Sequence, residues 1–166
     1  MNRLWAPWRE KYITGLQKKE SICIFCRMLR QNNDAKNFIF ARHKHSFAVL
    51  NLFPYNNGHI LVVPNKHVKD LKQLSKDEKL DLLELFEDAK DMVDKVLKPH
   101  GYNVGINLGR VAGAGFPGHL HIHVVPRWGG DVNFMPIIGD TKVVSQSLKV
   151  LCGKLKKCAR EKKSKN

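Results

Sequence analysis

Between residues 119 and 125 the chain alternates strictly: His119, His121 and His123 are separated by Leu120 and Ile122, and Val124-Val125 follows. Successive side chains of a strand point to opposite faces, so this spacing predicts a strand over residues 120–126 with all three imidazoles on one face. Neighbouring histidines would lie ~6–7 Å apart, and Leu120, Ile122 and Val124 would enter a core on the other side. Packing is a poor reason for such a pattern, because three histidines displace apolar surface and each needs a hydrogen-bond partner if buried. Imidazole is a good nucleophile near neutral pH, where much of it is unprotonated. It can attack phosphorus, expel a leaving group and later release the phosphoryl unit to an acceptor. Flanking histidines can hold its tautomer, bind phosphate oxygens or ferry a proton.

The segment before this run supports phosphate chemistry. Residues 107–118 contain Gly109, Gly113, Gly115 and Gly118, and glycine lets backbone N–H groups converge closely on phosphate oxygens. Upstream, Asn37–Arg42, Ser46–Asn51 and His59–Pro64 read as strands, with turn residues in Pro54-Tyr-Asn-Asn-Gly58. Ser75-Lys-Asp-Glu78 has the form of a capping box, and Leu82, Phe86, Ala89, Val93 and Val96 recur at helical spacing until Pro99. Gly101–Leu108 reads as a fourth strand before the histidine strand, and a last helix is expected over residues 143–157. Three strands, a helix, two strands and a helix make an α+β order, and the short links favour antiparallel pairing. The expected division is an N-terminal arm (1–20), one domain (21–153) and a basic tail (154–166).

Composition narrows the class. With 43% hydrophobic and 27% charged residues in 166, the chain suits one soluble domain. It has no apolar run of ~18 residues and no apolar stretch of a signal peptide at its start, so no membrane partner and a cytoplasmic location are expected. The formal net charge is +14, concentrated partly in Lys154, Lys156, Lys157, Arg160, Lys162, Lys163 and Lys165. Such charge attracts nucleotides, RNA or acidic surfaces. A nucleic-acid-binding module would interleave aromatics with those bases for stacking, and the tail has none, so nucleic acid is disfavoured as a partner. Four cysteines in a reducing compartment do not suggest a disulfide framework; Cys23-x-x-Cys26 has the spacing of two ligands to one tetrahedral metal. A metal-storage protein built on the clustered histidines is a third class, one that would place metal on His121. His43, His45 and His100 read as surface histidines.

The order Gly-His-apolar-apolar-apolar-Pro (Gly58–Pro64 with an added residue), helix, and His-apolar-His-apolar-His-apolar-apolar resembles the histidine triad (HIT) superfamily over about Cys23 to Arg127. The resemblance implies a HIT-like fold: a five-stranded antiparallel sheet with a long helix and a C-terminal helix, in a homodimer. It implies nucleotidyl hydrolases and transferases working through a covalent nucleotidyl-histidine intermediate. Matched to the motif, His121 is the nucleophile, His123 binds phosphate and His59 helps to position it. Asn51 falls at a ribose position, Asn107 at a phosphate position, and Phe47, Leu50 and Ile60 at the walls of a base pocket. Many members carry Gln and Ser or Thr shortly before the triad; here that stretch is Gly113-Ala-Gly-Phe-Pro-Gly118, so backbone amides at Gly113, Ala114 and Gly115 are expected to take their place.

Trp5-Ala-Pro-Trp-Arg9 and the stretch Pro126–Met135 resemble a bacterial subgroup similar to diadenosine tetraphosphate phosphorylase. That likeness implies an adenosine-containing substrate with inorganic phosphate or water as acceptor, and Arg127 and Asn133 within reach of the polyphosphate. A nucleoside phosphoramidate or adenylate hydrolase is the alternative. In zinc-bearing members the ligands beside the two cysteines are a histidine after the Gly-His strand and the first of the triad. Here those are His67 and His119, implying one structural Zn2+ held by Cys23, Cys26, His67 and His119.

Overall fold

The computed structural model describes residues 22–113, 115–131 and 146–163. The expected N-terminal arm with its Trp5–Arg9 motif, Ala114 of the glycine loop, Asn133 and residues 143–145 of the expected last helix lie outside these. The elements in order are α1 (Ile24–Gln31), β1 (Ile39–Arg42), β2 (Ser46–Leu50), β3 (Ile60–Pro64), a 3-10 turn (Leu71–Gln73), α2 (Lys76–Leu97), β4 (Gly101–Ile106), β5 (Ile122–Arg127) and α3 (Leu148–Lys163). The strands form one antiparallel sheet in the order β1-β2-β3-β5-β4. No described helix is long and apolar enough to cross a membrane.

The period of two along each strand divides the core between the two faces of this sheet. Ala48, Leu50, Ile60, Val62, Leu120, Ile122 and Val124 pack with α2 and α3 on one face. Phe47, Val49, Leu61 and Val63 pack with Phe25 and Met28 of α1 on the other. Because β2 and β3 are covered on both faces, all ten of their residues are buried. They therefore read as continuous apolar runs rather than as alternations.

Helix α2 begins where the sequence predicts. The Ser75 hydroxyl accepts the Glu78 backbone N–H, and a Glu78 carboxylate oxygen accepts the Ser75 N–H at 2.8 Å. Such a cap contributes about 1 kcal/mol. Its C-terminus closes through Lys98 in the left-handed region, with Pro99 barring continuation. Asp81, on the first turns of this helix, holds the β1–β2 turn by accepting from the His45 N–H and the Ser46 hydroxyl. Gly58 has φ +75°, and a Cβ there would collide with Leu97 and press on Pro126. Glycine is thus required for the turn into β3 to pass beneath the end of α2.

Three expectations change. Helix α1 is absent from the sequence reading: its eight residues span little more than two turns, and its N-cap position, Cys23, makes no side-chain cap. The last helix starts at Leu148, after non-helical Gln146 and Ser147, and runs to Lys163 instead of ending at residue 157. Leu155 and Cys158 are core residues, so much of the basic stretch is anchored by an apolar stripe. The histidine strand starts at Ile122, because only residues 122–124 pair with β3. His119 and His121 precede it on extended chain, tied by the Leu120 N–H to the Val68 carbonyl at 2.6 Å.

Candidate active site and metal centre

The alternation survives beyond the strand's end. Leu120, Ile122 and Val124 enter the α2–α3 core, while the imidazoles of His119 and His121 meet Phe25 of α1, each with ring centroids 5.2 Å away. The rings of His121 and His123 are 4.9 Å apart, closer than uniform strand spacing gives. His59, His119 and His121 are buried and His123 half-buried, so each ring depends on protein partners.

Those partners divide the histidines into two groups. His121 has Nδ1 2.8 Å from the carbonyl oxygen of His119, which only an N–H can satisfy. The proton therefore sits on Nδ1, and Nε2 keeps its lone pair. Burial holds the pKa of His121 below the ordinary imidazole value, against the opposing pull of that hydrogen bond. The neutral, nucleophilic form is thereby favoured.

His123 belongs to a relay. The Tyr55 backbone N–H donates to His59 Nδ1 at 3.0 Å, which leaves the His59 proton on Nε2. That nitrogen lies 3.0 Å from His123 Nδ1 and donates to it. A neutral His123 then carries its proton on Nε2, suited to donate to an oxyanion. Asn51 adds its amide nitrogen 3.3 Å from His59 Nδ1, and its side-chain oxygen accepts the Phe53 N–H at 2.9 Å. The Tyr55 ring stacks on His59 at 4.9 Å and on His123 at 6.0 Å. Sequence reasoning placed Tyr55 only in a turn and missed both contacts, as it missed Phe25.

His119 faces elsewhere. Its Nε2–H donates to the Pro64 carbonyl at 2.9 Å, so Nδ1 carries the lone pair. That Nδ1 is 3.3 Å from Cys23 Sγ and 3.7 Å from Cys26 Sγ, and Cys26 Sγ is 3.3 Å from His67 Nδ1. One ligand atom from each of Cys23, Cys26, His67 and His119 lies within 4.8 Å of every other. Tetrahedral zinc with bonds of about 2.0–2.3 Å sets its ligands ~3.5 Å apart, so the cluster has the right size and donor set. A carbonyl that fixes the tautomer of a ligating histidine is the usual second partner of such a site. Burial, with proximity to Cys23, raises the Cys26 pKa, and burial pushes His119 down to about 4, so both donors favour their uncharged forms.

The remaining candidates are less concentrated. Asn107 follows Ile106, whose ladder partner is Ile122, so it comes beside His121 across the end of the sheet. In the glycine loop Gly109 (φ +85°) and Gly113 (φ +86°) take conformations that favour glycine, and Gly113 N–H bonds back to the Arg110 carbonyl. Gly115 is half-buried two residues on. Arg127, expected near the polyphosphate, is held by both carboxylate oxygens of Asp131, at 2.7 and 2.9 Å, and by Asn103. Leu50 and Ile60, expected in a base pocket, sit in the α2–α3 core on the opposite face, whereas Phe47 lies on the histidine face. His43 bonds Asp88 of α2 and His100 accepts the Gly129 N–H, so neither is the partnerless surface group expected.

Comparison with known proteins agrees with this geometry. A family model described as the HIT domain matches residues 32–130. A Mycobacterium tuberculosis protein named AP-4-A phosphorylase is 42% identical over 155 residues, covering 90% of this chain and 80% of its own. A Schizosaccharomyces pombe adenosine 5'-monophosphoramidase is 34% identical over 105 residues, 63% of this chain and 74% of its own. In fold, a zinc-bound histidine triad family protein from Mycobacterium smegmatis gives a TM-score of 0.68 at 21% identity, covering 88% of this chain and 99% of its own. With three histidines in strict alternation, a matching domain model over most of the chain and a shared fold, this protein belongs to the HIT family.

Proposed function

We propose that this protein is a nucleotidyl transferase that splits diadenosine tetraphosphate with inorganic phosphate as acceptor, through a nucleotidyl intermediate on His121. The observation that carries the reading is the His121 tautomer, locked by the His119 carbonyl so that Nε2 is the nucleophile. The 42% identity to a protein named AP-4-A phosphorylase supports the substrate. Nε2 attacks the α-phosphorus, forming a P–N bond as the bridging P–O bond breaks and ATP departs. The Nε2–H of His123, oriented by His59, stabilises charge on the phosphoryl oxygens. A phosphate oxygen then attacks the same phosphorus, the P–N bond breaks, and ADP leaves with His121 restored. Asn51 serves the ribose, and Asn107 with the amides of Ala114 and Gly115 serves the phosphates, the Gly113 N–H being held by the Arg110 carbonyl. Arg127, braced by Asp131, presents its remaining donor capacity at the rim.

Zinc at Cys23, Cys26, His67 and His119 would supply no chemistry to this step. As a closed structural site it would tie α1 to the segment preceding β5 and so fix the carbonyl that orients His121. Incubation with diadenosine tetraphosphate and analysis of products tests the proposal: ADP and ATP should form only with phosphate present. AMP and ATP forming equally fast without phosphate would replace phosphorolysis with hydrolysis. The second reading, hydrolysis of nucleoside phosphoramidates, is supported by the likeness to a phosphoramidase.

The homodimer is proposed from the open edge of the sheet. β4 is an edge strand, and Asn103, Val104 and Gly105 are exposed along it, Val104 by 50%. An uncovered edge of this kind is a template for pairing with a second copy. Light scattering should give twice the chain mass; a monomer mass at micromolar concentration would defeat the proposal.

A further inference from the structure

At the other edge of the sheet lies a cleft of about 550 Å3, bounded by β1, by Asp34 of the preceding loop, by Asp88 and Met92 of α2 and by one side of α3. With β2 and β3 between β1 and β5, it is three strand spacings, or ~14 Å, from the histidine strand. It is not part of the site already described.

Its charge is the telling feature. Arg42 is neutralised by Asp34 at 2.6 Å, and Lys162 by Asp88. Lys156 and Arg160 also line the cleft, and neither makes an ion pair among the described residues. They stand four residues apart on α3, on the same face of the helix, where like charges repel. A multivalent anion between them removes that repulsion. The floor is apolar, formed by Phe40, Met92 and Ala159, and the volume lies in the range of small-molecule sites and well above the needs of a single phosphate. Asp34 and Asp88 in the wall are already engaged, Asp34 by Arg42 and Asp88 by Lys162 and His43, so Lys156 and Arg160 are the cations left to a ligand.

We propose that this cleft is a second binding site, for a nucleoside polyphosphate, with the phosphates on Lys156 and Arg160 and the nucleoside over Phe40 and Met92. It binds and does not transform its ligand. An occupant would clamp α3 against the β1 edge.

The test is a titration of the full chain with ATP, adenosine and inorganic triphosphate, followed by calorimetry and hydrogen exchange. ATP should give two binding events per chain and should slow exchange in residues 39–43 and 156–163. Lys156→Glu/Arg160→Glu should weaken one event at least tenfold and abolish that protection, while protection around residues 119–123 remains. Lys156→Gln/Arg160→Gln should give the same result in part, and both variants should keep the wild-type melting point, since neither side chain is in the core. The absence of any ATP-binding event that the double substitution weakens would overturn the proposal, whether or not a second event occurs at the histidines. Triphosphate binding as tightly as ATP would overturn the nucleoside part of it. No arm of the experiment requires turnover, so its failure is separable from failure of the His121 mechanism.

Discussion

Replacing His121 by alanine should lower turnover of diadenosine tetraphosphate by about 10^4-fold or more, the scale seen when a covalent nucleophile is removed. The expectation rests on tautomer and burial together. The lone pair at Nε2 exists because the His119 carbonyl claims the proton of Nδ1, and burial disfavours the protonated ring that could not attack. No other imidazole can substitute. His119 directs its lone pair at two cysteine sulfurs, and His123 has Nδ1 committed to His59. His123→Ala should be milder, ~10^2–10^3-fold, because it removes a donor to the transition state and leaves the nucleophile in place. Single-turnover product analysis would measure both, and mass spectrometry of alkali-quenched protein, in which the acid-labile P–N bond survives, should find adenylylated His121 in wild type only. If His121→Ala, shown to be folded by its melting profile, retained wild-type turnover, the covalent mechanism would be wrong.

Removing the metal should have the largest effect on stability. Purified protein should contain about one zinc per chain. Chelation or Cys26→Ser should lower stability by several kcal/mol, since binding free energy at a structural zinc is folding free energy. In a domain of this size that corresponds to a fall in Tm of ~10 °C or more. The loss should be local first. Helix α1 has only eight residues and is held to the sheet by Phe25, Met28 and the two cysteines, so hydrogen exchange in residues 22–31 should accelerate before the rest. Turnover should fall with it, because the segment bearing His119 and His121 loses its anchor. Metal-free protein with an unchanged Tm and unchanged exchange in α1 would mean that the four residues are only an accidental neighbourhood.

The long helix was legible because its signals are local: Ser75 and Glu78 cap one another across three residues, and the apolar positions repeat within single turns. The strands were legible as apolar runs, though their ends moved by one or two residues where pairing partners stop. Helix α1 was not, because what makes those eight residues helical is the sheet surface beneath Phe25 and Met28. Nor was the true face of Leu50 and Ile60, since a strand buried on both sides carries no alternation from which to read it. The pairing of Arg127 with Asp131 and the contact of His43 with Asp88 likewise depend on how turns and helices come together.

For the histidines themselves the division is clear. Sequence alone determined that three imidazoles would share one side of a strand-like segment while Leu120, Ile122 and Val124 entered a core, because the period of two is a property of extended backbone. Resemblance to a family then supplied their expected roles. Only the tertiary structure decided which nitrogen of each ring carries the proton, because the deciding partners lie far away in the chain or on the backbone. The Pro64 carbonyl turns His119 toward Cys23 and Cys26, the Tyr55 N–H sets His59 and through it His123, and the His119 carbonyl leaves His121 with its lone pair on Nε2. Three identical side chains thus acquire three different chemistries from the hydrogen bond each is given.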